Sequence, residues 1–207
     1  MKTSELNLNI YNRPLKDGHS YLARVVGIAF LGHRLSPDFR GMPRRLRPEI
    51  LFSFEFLDEE TYISSKKPLV MHQVMAATPH PMGRFHKLAN AIDKTSITSY
   101  TEDVPSESSK ENEDELGQCT VYEINTPQLV YGLVSITVRE SNKHEGHFSL
   151  SKIEEPTYHE KKFAYVDTCP IQTPYIYDLT TDNLIQGNRE DMPSTILKWA
   201  LDTMQVQ

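Results

Sequence analysis

The chain has 207 residues, 38% of them hydrophobic, with a mean hydropathy of -0.49, which suits one domain with a packed core and leaves out a membrane-spanning helix of ~18 apolar residues. Residues 1–14 lack the apolar stretch of a secretion signal, and Cys119 and Cys169 form no CxxC pair, as expected of free thiols in a reducing cytoplasm. The net charge of -6 is uneven: Glu102, Asp103, Glu107, Glu111, Glu113, Asp114 and Glu115 face only Lys110 within 99–118, and the rest of the chain is neutral. An acidic total therefore does not exclude a polyanionic ligand, because the local field decides.

In chain order, residues 1–19 read as an N-terminal arm. Residues 20–31 are apolar and β-branched, and predict a long strand bent at Gly27. Residues 32–48, punctuated by Pro37, Gly41, Pro43 and Pro48, predict a loop. Residues 49–57 alternate, with Ile50, Phe52, Phe54 and Phe56 on one face and Leu51, Ser53 and Glu55 on the other, so a strand with one wet side is expected. A third strand follows at 69–75, then a short amphipathic helix over 82–93 carrying Phe85, Leu88, Ala89 and Ile92.

Residues 99–118 have almost nothing apolar to bury, so a disordered acidic loop is expected. A fourth strand over 128–139 and a fifth over 147–153 are joined by the turn at 141–146. From Glu154 the chain reads as extended and proline-punctuated until a last helix over 193–204. The fold class predicted is mainly β: a five-stranded Greek-key barrel, the OB-fold, with a short helix between strands three and four. The domain would span 20–156, and 157–207 would be an extended C-terminal tail ending in a helix.

The order of short motifs resembles the phage-type OB-fold single-stranded DNA-binding proteins. The matching residues are Tyr21, Ala23, Arg24, Val26, Leu31 and Gly32 in the first strand, then a basic linker, then Phe54-Glu55. A polar strand at 72–78, a helix at 84–92, a hairpin at 134–156, a Pro174 to Leu179 segment and a Pro193-led helix with Trp199 continue the series. Met75-Ala76-Ala77 stand where the family has small hydroxyl residues, and the chain ends without the family's acidic tip. The resemblance implies a cytoplasmic protein of an infected host cell, acting in phage DNA replication or recombination.

Binding a single strand needs positive charge along the phosphates and flat side chains under the bases. Arg34, Arg40, Arg44, Arg45 and Arg47 crowd one loop with Asp38 as its sole acid, and guanidinium suits both tasks. The plainer alternative is a solvated loop. The phenylalanine stripe is expected to be core, because a fully apolar face belongs inside. Better stacking candidates are Phe39 among the arginines, Tyr62 near Lys66 and Lys67, and Phe148 beside His147. Arg24 could reach the groove or a buried acid. Arg84, Lys87, Arg139 and Lys143 would extend the basic track.

No nucleophile elbow, Walker loop or dinucleotide fingerprint is present, and the two histidines of HEGH (144–147) lack further ligands at zinc spacing. The expectation is a non-catalytic protein without cofactor that coats single-stranded DNA with little sequence preference. Two rivals remain. One is a protein–protein interaction module of a replication or host-takeover complex, using the acidic loop and the tail with Tyr175, Tyr177 and Trp199. The other is a metal-assisted enzyme.

Overall fold

The first strand organises everything else. β1 (Ser20–Leu35) is 16 residues long and pairs along one side with β2 (Leu46–Phe56), from Ala23↔Phe56 to Leu35↔Leu46. The ladder shifts between Val25 and Gly27 and again between Phe30 and Gly32, the sites where the strand bends. The computed structural model describes residues 15–35, 46–58, 61, 68–105, 116–142, 144–167, 174–181 and 183–187. The expected N-terminal arm (except 15–19) and the helix at 193–204 lie outside them.

β3 (Val70–Ala76) joins the far side of β2, antiparallel. α1 (Arg84–Ile92) follows, with Phe85, Leu88, Ala89 and Ala91 buried. Next come β4 (Ile97–Pro105) and β5 (Leu116–Ile124), then β6 (Leu133–Ser141) and β7 (His144–Glu154). α2 (Tyr158–Asp167), β8 (Tyr175–Asp178) and β9 (Asn183–Gln186) complete the described elements. Seven strands share one sheet, ordered β3-β2-β1-β6-β7, with β8 on β1 and β9 on β8.

The protein is thus mainly β, as expected, but the sheet is open and exceeds five strands. Its two end strands meet through a side chain: Gln73 Oε1 on β3 accepts from the Leu150 amide on β7 at 3.3 Å. The phenylalanine stripe is core, as expected. Phe52, Phe54 and Phe56 have no exposed surface and pack with Ala23, Val25, Met71, Phe85, Ile136 and Leu150 beneath α1.

Three expectations need correction. The acidic region 99–118 is not loop throughout, because Ile97–Pro105 and Leu116–Ile124 form a two-stranded antiparallel hairpin. Ile97, Thr98, Tyr100, Thr101 and Val104 on one strand and Thr120, Val121, Tyr122 and Ile124 on the other are β-branched or aromatic residues, a strand signal that net charge masked. β2 has no wet side: Leu51, Ser53 and Glu55 are buried as completely as the phenylalanines. The cause is the third correction, since the segment after 157 is no separable tail. Tyr175, Tyr177 and Leu179 pack over Ala29 and Leu51, and Ala164 of α2 closes over Leu22 and Leu57.

α2 itself has a sequence signal that an extended reading overlooks. Thr157 and Glu160 form a reciprocal cap, with the Thr157 amide donating to Glu160 Oε2 at 2.6 Å and the Glu160 amide donating to Thr157 Oγ1 at 3.3 Å. β8 then runs parallel to β1, Gly27↔Tyr175 to Phe30↔Asp178, along the edge that β6 leaves after Arg24↔Leu133.

Gly27 is where β1 and the C-terminal segment meet most closely. The Tyr175 ring lies against its Cα, and a methyl group there would overlap that ring. Gly27→Ala is therefore expected to destabilise the fold by about 1–3 kcal/mol, the cost of an overpacked core site. Urea unfolding checks this; an unchanged midpoint would mean that Tyr175 moves aside freely.

Candidate nucleic-acid interface

Antiparallel pairing decides where the basic residues sit. Arg34 and Arg47 are directly opposite in the β1–β2 ladder, one step from where the strands part into the loop 36–45. The backbone register thus brings two arginine positions together at this end of the sheet. Arg47 is not wholly available to a ligand. Its Nε and one terminal nitrogen each donate to Glu49 Oε1 at 3.1 Å, and Glu49 is nearly buried. Phe39, Arg40, Arg44 and Arg45 lie outside the described residues.

β3 ends at the same end, Glu49↔Ala76, and Ala77 donates its amide to the Pro48 carbonyl at 2.8 Å. The chain then turns into α1, which exposes Arg84 and Lys87. These two residues therefore follow directly from the arginine-bearing end of the sheet.

The other candidates anchor elsewhere. Tyr62, Lys66 and Lys67 lie outside the described residues, in the connection from β2 to β3 that leaves the opposite end of β2, at Glu55↔Val70. Ten residues of strand separate the two ends of β2, roughly 33 Å. Arg139, exposed on β6 beyond the Ser20↔Thr137 pair, belongs with that second end, as does the β6–β7 turn; Lys143 in it lies outside the described residues. Among the described residues, Arg139 thus lies at the end of the sheet opposite to Arg34 and Arg47.

Two site residues require correction. Phe148 is 5% exposed and sits in the main core with Leu150, so it offers no face to a base. Its polar neighbour His147 points to the other side of β7, since successive strand residues alternate. Of the two possibilities for Arg24, the buried acid holds: its guanidinium lies 3.8 Å from Glu55 and both are nearly enclosed.

Arg24, Glu55, Gly27, Ser53 and His72 share the face of β1–β3 opposite the phenylalanine core, by ladder register. The C-terminal segment covers this face. Ser53 Oγ lies 2.7 Å from both His72 Nδ1 and the Tyr175 hydroxyl. Burial holds the His72 pKa down to about 4 and pushes Tyr175 up to about 12, against the opposing pull of its bond to Ser53. The protein–protein reading relies on Tyr175 and Tyr177 as contact residues of the tail; both are buried.

A depressed histidine makes the fold acid-sensitive. The unfolded chain protonates His72 near its ordinary 6.5 while the folded chain resists to about 4, so stability is complete above the higher value and falls as pH drops between them. The expected loss is up to roughly 3 kcal/mol. Urea unfolding at pH 7 and pH 4.5, for the parent and for His72→Gln, isolates it: equal losses in both would discard His72 as the cause.

A cleft opens beside the covered face. With a volume of about 570 Å³, it runs between α2, the end of α1 and the turn before β6, with Arg24, Asp93, Gln128, Tyr131, Leu133 and Lys161 in its wall. Tyr131 has φ 63°, the sole positive φ outside glycine among the described residues, and the residue is 44% exposed. The left-handed conformation costs an aromatic residue about 1–2 kcal/mol, and packing does not repay an exposed ring. Sequence reading placed Tyr131 inside a strand; the signal for a turn was the Tyr131-Gly132 pair after Pro127.

Among the described residues no three of His, Cys, Asp and Glu cluster as a metal ion would require, and no helix is long and apolar enough to cross a membrane. Compared with family models, curated proteins and solved structures, the chain matches none.

Proposed function

We propose that this protein binds single-stranded DNA with little sequence preference, without catalysis, during phage DNA replication or recombination. The observation that carries the reading is the register pair Arg34↔Arg47 at the mouth of a loop that adds Arg40, Arg44 and Arg45. Five arginines within 34–47, in a chain of net charge -6, have Asp38 as the sole acid of that stretch of sequence, and Glu49 engages Arg47. A polyanion is the partner that such a field attracts.

The fold supports it in kind. The order β3-β2-β1-β6-β7, with α1 inserted after β3, is compatible with an OB-type barrel, and Gln73 bridges the two end strands of that open path. We read the protein as such a barrel, elaborated by a hairpin after α1 and by a C-terminal cover. Phosphates would run along the arginine-bearing end toward Arg84 and Lys87, because those residues leave the sheet side by side with it.

Oligonucleotide titration tests the proposal. Affinity for oligo-dT should fall with salt with a log–log slope of roughly 0.7 per phosphate neutralised. Salt-independent binding, or none at any salt, refutes it. A protein–protein module is the second reading, favoured by the β4–β5 hairpin standing outside the main sheet with Tyr100 exposed. That reading requires partner capture that survives nuclease treatment in a chain with no affinity for oligonucleotides.

A further inference from the structure

We propose that the cleft beside Tyr131 holds one unstacked nucleobase of a bound strand, a deepening that rests on the single-strand reading above. Its volume, about 570 Å³, lies in the range of small-molecule sites and is ample for one base. The charges in it point away from a phosphate. Arg24 is offset by Glu55 at 3.8 Å, Lys161 by Glu155 at 2.8 Å, and Asp93 adds a carboxylate held ionised by its hydrogen bonds to Thr95. What remains is an uncharged, planar, hydrogen-bonding ring as the fitting ligand.

The wall supplies the corresponding groups. Tyr131 offers a phenol face at the rim, Leu133 an apolar side, Gln128 both a donor and an acceptor, and Asp93 an acceptor. The rim is rigid where it matters. The Tyr131 amide donates to the Val25 carbonyl at 2.8 Å and the Val25 amide to the Gly132 carbonyl at 3.0 Å, so the turn is clamped to the bend of β1. An exposed tyrosine on a strained, clamped backbone is a stacking platform whose backbone is fixed before a base arrives.

The site also has a sensible position. It opens beside the face of β1 that carries Arg24, the face covered by α2 and β8, so a base entering here would pass beside that cover.

Tyr131→Asn tests the inference in the full-length protein, because asparagine tolerates positive φ and removes the ring. Anisotropy titrations would use a mixed-sequence deoxyoligonucleotide and a base-free abasic strand of the same length. The expected result is binding of the first weakened about tenfold, binding of the second unchanged, and a Tm equal to or above the parent's. Parent-like affinity for the first strand, or equal losses for both, overturns the pocket. A saturation-transfer NMR experiment with free mononucleotides separates the two proposals. If the parent binds no strand, a mononucleotide signal that Tyr131→Asn abolishes keeps the pocket while strand binding fails; no signal from either ligand overturns both.

Discussion

Deletion of everything after Pro156 is expected to give a chain that no longer folds cooperatively. The deleted part contributes Tyr175, Ile176, Tyr177 and Leu179, each 5% exposed or less, and Ala164 besides. Fully burying a large apolar side chain is worth about 1.5–3 kcal/mol, so these four alone approach the whole stability of an ordinary domain. The loss also bares Ala29 and Leu51, leaves Ser53 and His72 without Tyr175, and frees the β1 edge from Gly27 to Phe30 for pairing with other chains. Circular dichroism and size-exclusion chromatography should show loss of the melting transition and association. A soluble, cooperatively melting truncation with higher affinity for oligonucleotides would overturn this and make the segment a detachable cover.

The second large effect concerns binding. Replacing Arg40, Arg44 and Arg45 together by glutamine, leaving Arg47 on Glu49, should lower the salt slope by about 2 and weaken oligo-dT binding on the order of several hundredfold at 50 mM salt. Arg47 is left in place because removing it would strand a nearly buried carboxylate and confuse stability with affinity. Thermal melting should be unaffected. If the slope is unchanged while Lys66→Gln with Lys67→Gln reduces it, phosphates follow the opposite end of β2. The salt slope is the discriminating quantity, because a loss of affinity with the slope intact would come from stacking or folding.

The tyrosine pocket and the arginine end answer to different measurements. Charge contacts fade with salt, whereas a base held by Tyr131 contributes at every ionic strength. Titrating the triple variant and Tyr131→Asn in parallel at two salt concentrations would therefore apportion the affinity between them. Buried His72 adds a practical constraint, since such titrations should be kept at or above pH 6.5, where the fold retains its full stability.

Local pattern alone determined much of this protein. The strand period of Ile50 to Phe56 placed three phenylalanines in the core, the spacing of Phe85, Leu88 and Ala89 placed α1 on it, and the arginine cluster stood out against an acidic chain. Periodicity reports which residues leave water, and it is read over a few neighbouring positions. Tertiary structure decided the rest: that Tyr175, more than a hundred residues from Gly27, lies against it and seals the second face of β2, that Phe148 turns inward, and that Arg24 meets Glu55. A parallel pairing such as β1 with β8 leaves no mark within either strand, because its hydrogen bonds join backbones that any sequence possesses, and so only the folded chain reveals which face is closed and which cleft stays open.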